Sequence, residues 1–255
     1  MNLETLGQTL DCGQCFRWER LSDGSWCGCA GNRCVHITAE NLQQVLADEF
    51  WAHYFDMERD YDAIREQFCT LDPVLKEAAH YAPEIRILNQ DPWEALCSFL
   101  LSQCNNIKRI KRLVLRLCQS YGEPGKLCNS FPHPEKIAAL SEENLRDLGC
   151  GYRAGYLLGA ARSVADGKLD FNRLRGLPLQ QARRELMQLD GVGPKVADCV
   201  LLYGLHRLEA FPMDVWMKRA MKVLFPEKKP EDFGAYAGIA QQYIFNYSRN
   251  HPELF

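Results

Sequence analysis

Along most of the chain, apolar positions recur at helical spacing. In 179–189, Ala182, Leu186 and Leu189 fall on one face and Arg183, Arg184 and Glu185 lie largely off it, which predicts a helix. Gly191 and Gly193 stop that helix. Pro194 suits the first position of the next, where its missing N–H costs nothing. This second helix is expected to reach about His206, with Ala197, Val200, Leu201 and Leu205 as its buried stripe. Asp214 reads as the N-cap of a further helix over 215–221. Upstream, Asp91-Pro92-Trp93-Glu94 reads as a capping box opening a helix with Leu96, Phe99 and Leu100 inward. Another helix begins near Asn105 or Asn106. Ile110, Leu113, Val114 and Leu117 form its apolar stripe, and Lys108, Arg109, Lys111, Arg112 and Arg116 its outer face.

The first 80 residues are patterned differently. Short β-type runs at 16–20 and 25–29 flank Ser22-Asp23-Gly24, and 33–38 follows Gly31-Asn32. An antiparallel sheet with one packed face is the expected result, followed by mainly helical chain over 41–67. The fold class is therefore α+β. A β-rich N-terminal domain (1–80) packs on a mostly α-helical domain (81–255).

A length of 255 residues at 47% hydrophobic supports one large core or two smaller ones. No run of about 18 apolar residues predicts a membrane span. Twelve cysteines and an N-terminus without a basic, then apolar, leader lead us to expect a reducing, intracellular setting, cytoplasmic if the source is bacterial. Cys12-x-x-Cys15, Cys27-x-Cys29 and Cys34 could suggest zinc ligands, but the spacing is poor and no histidine pair follows, so no metal site is expected there. Charge is uneven beneath a net −3. Residues 1–90 hold seven Lys/Arg against fifteen Asp/Glu, and the remainder 23 against 18. Only the second part is basic enough to favour an anionic partner.

Two residues carry the candidate chemistry. Lys195 stands in the first turn of its helix, where the helix dipole and burial beside Val196 and Cys199 disfavour the ammonium form, as a nucleophilic amine requires. Asp214, as a cap, is held rigidly and ionised, which suits stabilisation of a cationic transition state. Taken singly, each has a plain structural reading: a solvated lysine and a helix cap.

Together they change the picture. The run Leu189-Asp190-Gly191-Val192-Gly193-Pro194-Lys195 with Phe211-Pro212-Met213-Asp214 resembles the signature of the helix-hairpin-helix DNA glycosylases, and the lysine resembles that of their glycosylase/lyase branch. More narrowly, the chain resembles the 8-oxoguanine glycosylase family in five ordered segments: 13–18, 102–110, 149–156, 192–199 with 212–215, and 236–245. The resemblance implies duplex DNA containing 8-oxoguanine as partner, action as a monomer, and no required cofactor. No cysteine follows Cys199, so the iron-sulfur cluster of some related glycosylases is not expected.

The resemblance also implies roles. Lys195 attacks the sugar and Asp214 stabilises the developing charge. Gly13, Cys199, Gln241 and Phe245 form the lesion-base pocket. Tyr152 is the wedge, with Arg153, Arg109, Cys104 and Asn105 reading the orphaned base. Gly191, Val192, Gly193 and Trp216 meet the DNA phosphates, and the carbonyls of Met187, Leu189 and Val192 are candidates for holding a monovalent cation. Three departures stand out. Cys104 replaces an asparagine of the family pattern, Trp216 a smaller polar residue, and Asp190 a proline. A thiol pairs poorly with cytosine, so looser opposite-base discrimination is expected. The alternatives are excision of another damaged base, an alkylated purine or oxidised pyrimidine, and a non-catalytic DNA-binding module.

Overall fold

A computed structural model describes residues 1–254. Helix α1 (Leu6–Leu10) leads into strands β1 (Trp18–Arg20), β2 (Trp26–Ala30) and β3 (Arg33–Ile37). These form one antiparallel sheet in the order β1-β2-β3, with Trp18 opposite Gly28 and Cys29 opposite Cys34. Helices α2 (Leu42–Ala47), α3 (Glu49–Tyr54), α4 (Tyr61–Leu71) and α5 (Pro73–Tyr81) follow. The rest is helical: α6 (Pro92–Ser102), α7 (Ile107–Tyr121), α8 (Pro134–Ala138), α9 (Glu142–Asp147), α10 (Arg153–Ala165), α11 (Phe171–Gly176), α12 (Leu179–Leu186), α13 (Pro194–Cys199), α14 (Val215–Leu224) and α15 (Ala237–Asn250). The α+β expectation is met: a small antiparallel sheet precedes a mostly helical body. No helix among the described residues is long and apolar enough to cross a membrane.

Two apolar clusters hold the chain together. The smaller gathers Leu6, Leu10, Trp18, Trp26, Ile37, Trp51, Tyr54 and Phe55 behind the sheet. Trp18 keeps its indole N–H satisfied there by donating to Tyr54 Oη at 2.9 Å. The larger cluster runs through the helical body and takes in Tyr61, Ile64, Phe68 and Leu75, so α4 and α5 bury their apolar faces against the helices rather than the sheet. The expected stripes of α6 and α7 are all buried.

Polar ties fix the seam between the two clusters. Buried Gln14 donates to the carbonyls of Thr9 (3.0 Å) and Arg86 (2.8 Å) and accepts from Leu88 N (2.9 Å). It thereby pins the segment carrying Gly13. Glu94 departs from the capping-box expectation. Asp91 caps α6 by accepting from Glu94 N, but the Glu94 carboxylate turns into the interior and meets Arg17 at 3.0 Å. Burial pushes that carboxyl up, and Arg17 offsets only part of the effect.

Helices α12 and α13 are joined by Arg183 and Asp198 at 2.7 Å. Burial dominates at Asp198, raising its carboxyl from 3.8 to about 6 despite Arg183. A carboxyl raised on folding binds extra protons in the native state, so stability is greater below the unfolded value and falls as pH rises toward the folded one. Relative to Asp198→Asn, the wild type should lose on the order of 2–3 kcal/mol between pH 4 and 6. Urea unfolding across that range checks it, and a flat difference would count against it.

Candidate active site

The chain between α12 and α13 is the tight hairpin foreseen. Gly191 has φ 79°, and a Cβ there would lie 2.3 Å from the Tyr156 ring, so both backbone and packing demand glycine. Gly193 is the N-cap of α13 and Pro194 its first residue. The helix does not stop at Cys199. It loosens into one π-helical turn over Val200–Gly204 before ending. Lys195, Cys199 and Tyr203 are spaced by four residues along this rod, and all three line one cavity.

Lys195 is half-buried. Its Nζ lies 3.5 Å from Ser102 Oγ and 5.0 Å from the centre of the Phe99 ring, both on α6. Asp214 caps α14, accepting from Met217 N at 2.7 Å. Amine and carboxylate face the same space, for both line each of two adjoining cavities. The larger, about 470 Å³, opens between Ser102–Asn105 and the start of α14, where Val215, Trp216 and Arg219 line it. The smaller, about 50 Å³, runs inward between Gly13, Cys199, Gln241 and Phe245, with Tyr203 and Gln242 beside them. All four residues expected to form the base pocket are therefore together. At this volume it is a narrow slot, well below the roughly 300–1,000 Å³ of formed ligand pockets.

The slot's walls are tied down unevenly. Gln242 accepts from Tyr203 Oη at 2.5 Å and donates to Cys12 O at 2.9 Å. Buried Gln241 accepts from the same hydroxyl at 3.4 Å. Burial raises the Cys199 thiol to about 11, so it is a neutral apolar wall and not a competing nucleophile. Gly13, at φ 86°, turns the chain toward Phe245, and a Cβ there would lie 3.8 Å from that ring.

At the mouth, Tyr152 is 53% exposed and packs edge-on against Tyr156. Cys104 is exposed with φ 48°, Asn105 is half-buried, and Arg109 stands on the outer face of α7. Arg153 is the residue expected to donate to the orphaned base. It is 5% exposed, and its guanidinium donates to Gln103 O and, at 3.3 Å, to Cys104 O. As placed, it holds the 103–104 loop from beneath. Trp216 is likewise engaged within the protein. Its indole N–H, expected to meet phosphate, donates to Ser248 Oγ at 3.0 Å and ties α14 to α15. Val192 buries its side chain, leaving its backbone alone for any phosphate or ion. Leu189 O already accepts from Val192 N at 3.1 Å.

The reading of the sequence missed Ser102, Arg219, Tyr203 and Gln242. Arg219 was the most accessible of these, one helical turn beyond Trp216. Tyr203 falls two steps of four beyond Lys195, a spacing that a straight α-helix also brings near one face.

Residues 2–96 match the N-terminal domain of 8-oxoguanine DNA glycosylase, and residues 97–234 match the HhH-GPD superfamily of base excision DNA repair proteins. The chain is 40% identical to the N-glycosylase/DNA lyase of Saccharomyces cerevisiae over 59% of its length, spanning 44% of that protein. It is 31% identical to the Arabidopsis thaliana N-glycosylase/DNA lyase OGG1, covering 94% of this chain and 76% of that one. Among solved structures, a Clostridium acetobutylicum 8-oxoguanine glycosylase/lyase in complex with double-stranded DNA containing cytosine opposite 8-oxoG superposes with a TM-score of 0.86 at 32% identity, covering 99% of this chain and 94% of that one. With both halves matched in order, the chain belongs to the HhH-GPD superfamily, in its 8-oxoguanine DNA glycosylase branch.

Proposed function

We propose that this protein removes 8-oxoguanine from duplex DNA and then cuts the strand as a lyase. The observation that carries the proposal is the pair Lys195 and Asp214 facing one space that continues inward between Gly13, Cys199, Gln241 and Phe245. The nucleotide is turned out of the stack, and Tyr152 fills the gap it leaves. The free amine of Lys195 attacks C1′ as the glycosidic bond breaks, and the base leaves with the bonding pair. Asp214 stabilises the positive charge that develops on the sugar. Loss of a proton from the amine and opening of the ring give a Schiff base. Removal of a C2′ proton expels the 3′ phosphate, and hydrolysis frees the lysine. These steps use an amine, a carboxylate and water, so no cofactor is required. The exposed hairpin amides near Gly193 suit a phosphate, and the carbonyls of Met187, Leu189 and Val192 suit a monovalent cation.

Selectivity for the lesion follows from one hydrogen bond. 8-Oxoguanine carries an N7–H where guanine has a lone pair, and a carbonyl beside Gly13 accepts it. Borohydride trapping on duplexes bearing 8-oxoguanine, an alkylated purine or an oxidised pyrimidine tests the proposal. The expected result is a covalent adduct on the 8-oxoguanine duplex. Tight duplex binding with no adduct and no excision on any lesion would reduce the protein to a DNA-binding module.

Cys104 sets the expected opposite-base behaviour. A thiol neither donates nor accepts well, so rates opposite C, A, G and T should differ less than in a relative with asparagine there. Cys104→Asn should steepen the preference for C by about fivefold, the worth of one net hydrogen bond of about 1 kcal/mol. Asparagine tolerates the left-handed backbone at this position, so the change should cost no stability. Single-turnover rates against the four opposing bases decide it, and an unchanged profile would refute it.

A further inference from the structure

Away from the active site, the structure gathers three sulfur atoms from three segments. Cys29 (β2), Cys34 (β3) and Cys128 (the loop between α7 and α8) have their Sγ atoms within 4.8 Å of one another. Cys29 and Cys34 are cross-strand partners, 3.0 Å apart at sulfur. Cys128 and Cys29 form a disulfide across 99 residues of sequence in this structure, so their thiolates are those of the reduced chain. The Arg17 guanidinium lies 3.8 Å from Cys128 Sγ and donates to Asn129 O at 2.7 Å.

From this geometry we infer a zinc site formed by the thiolates of Cys29, Cys34 and Cys128, with the fourth position open to solvent. Two features favour a metal over a simple disulfide. The Cα atoms of Cys29 and Cys128 are 7.1 Å apart, beyond the usual span of about 4.4–6.8 Å. Two metal–sulfur bonds of about 2.3 Å reach across such a gap more readily. A disulfide also leaves the Cys34 thiol unused, 3.0 Å from Cys29 at sulfur, whereas a thiophilic cation takes all three. Three thiolates around a divalent ion leave one net negative charge, and Arg17 is placed to face it. Cys34 and Cys128 are half-buried, which gives the ion a route in. Binding releases the thiol protons and fastens the 122–133 loop to the sheet, at the seam Arg17 already bridges through Glu94.

The test uses the full chain, reduced and stripped with chelator. Zinc uptake is measured against a chromophoric competitor, and cobalt is then substituted to read thiolate-to-metal charge transfer. One equivalent of zinc and a cobalt spectrum of three thiolates are expected. Cys34→Ser removes one ligand and leaves the Cys29–Cys128 pair intact. It should weaken zinc binding by at least about tenfold, since even outer-shell changes cost that much. No uptake by the reduced wild type, or equal uptake by Cys34→Ser, overturns the site. Should that variant fail to fold, by circular dichroism, the wild-type stoichiometry and cobalt spectrum decide alone.

Discussion

Lys195→Gln should leave the protein folded and able to bind duplex DNA, yet yield no borohydride-trapped adduct. Excision should fall by roughly 10⁴–10⁶-fold, the scale seen when a covalent nucleophile is removed. Folding should survive because the side chain is only half-buried and its contacts are modest. The Ser102 contact is long at 3.5 Å, and the Phe99 ring contact is worth about 0.5–1 kcal/mol. The glutamine amide fills much of the same volume but cannot form a Schiff base. Denaturing gels after borohydride and a parallel binding titration separate chemistry from affinity. A surviving adduct would move the nucleophile to another amine and remove the basis of the proposed mechanism.

Asp214→Asn should slow single-turnover excision by about 10²–10³-fold, in line with the loss of one preorganised electrostatic stabiliser. Stability should barely change, because asparagine caps a helix about as well as aspartate and can still accept from Met217 N. Asp214→Ala provides the contrast. It loses both charge and cap, so it should show the same rate defect plus about 1 kcal/mol of destabilisation. The pair of variants separates the carboxylate's two duties. An Asn variant within a few-fold of wild type would assign Asp214 to capping alone.

Both predictions concern residues that the sequence made conspicuous. Hairpin glycines, a proline at the first helical position and a capping aspartate are local signals, each read from a few neighbouring positions. The same holds for the stripes of α6 and α7, which the structure buries as their periodicity implied. The base slot was legible only through family resemblance, since Gly13 and Phe245 stand more than 200 residues apart and no local pattern links them.

Arg153, Trp216 and Glu94 mark where sequence reading ended. Arg153 and Trp216 carry groups suited to DNA, and Glu94 one suited to its own helix cap, yet in this structure they meet the Gln103 and Cys104 carbonyls, Ser248 and Arg17. Burial leaves a polar group little choice, for an unpaired one costs about 1–3 kcal/mol, so it takes the nearest partner. Which partner is nearest depends on how distant helices pack.

The sequence alone thus determined the helices, the hairpin and the spacing of amine and carboxylate, because these follow from backbone sterics and contacts a few residues long. Only the tertiary structure decided which of these groups share a cavity, which are consumed in holding it open, and that Cys128 joins Cys29 and Cys34. Those outcomes depend on packing between segments that no local periodicity connects.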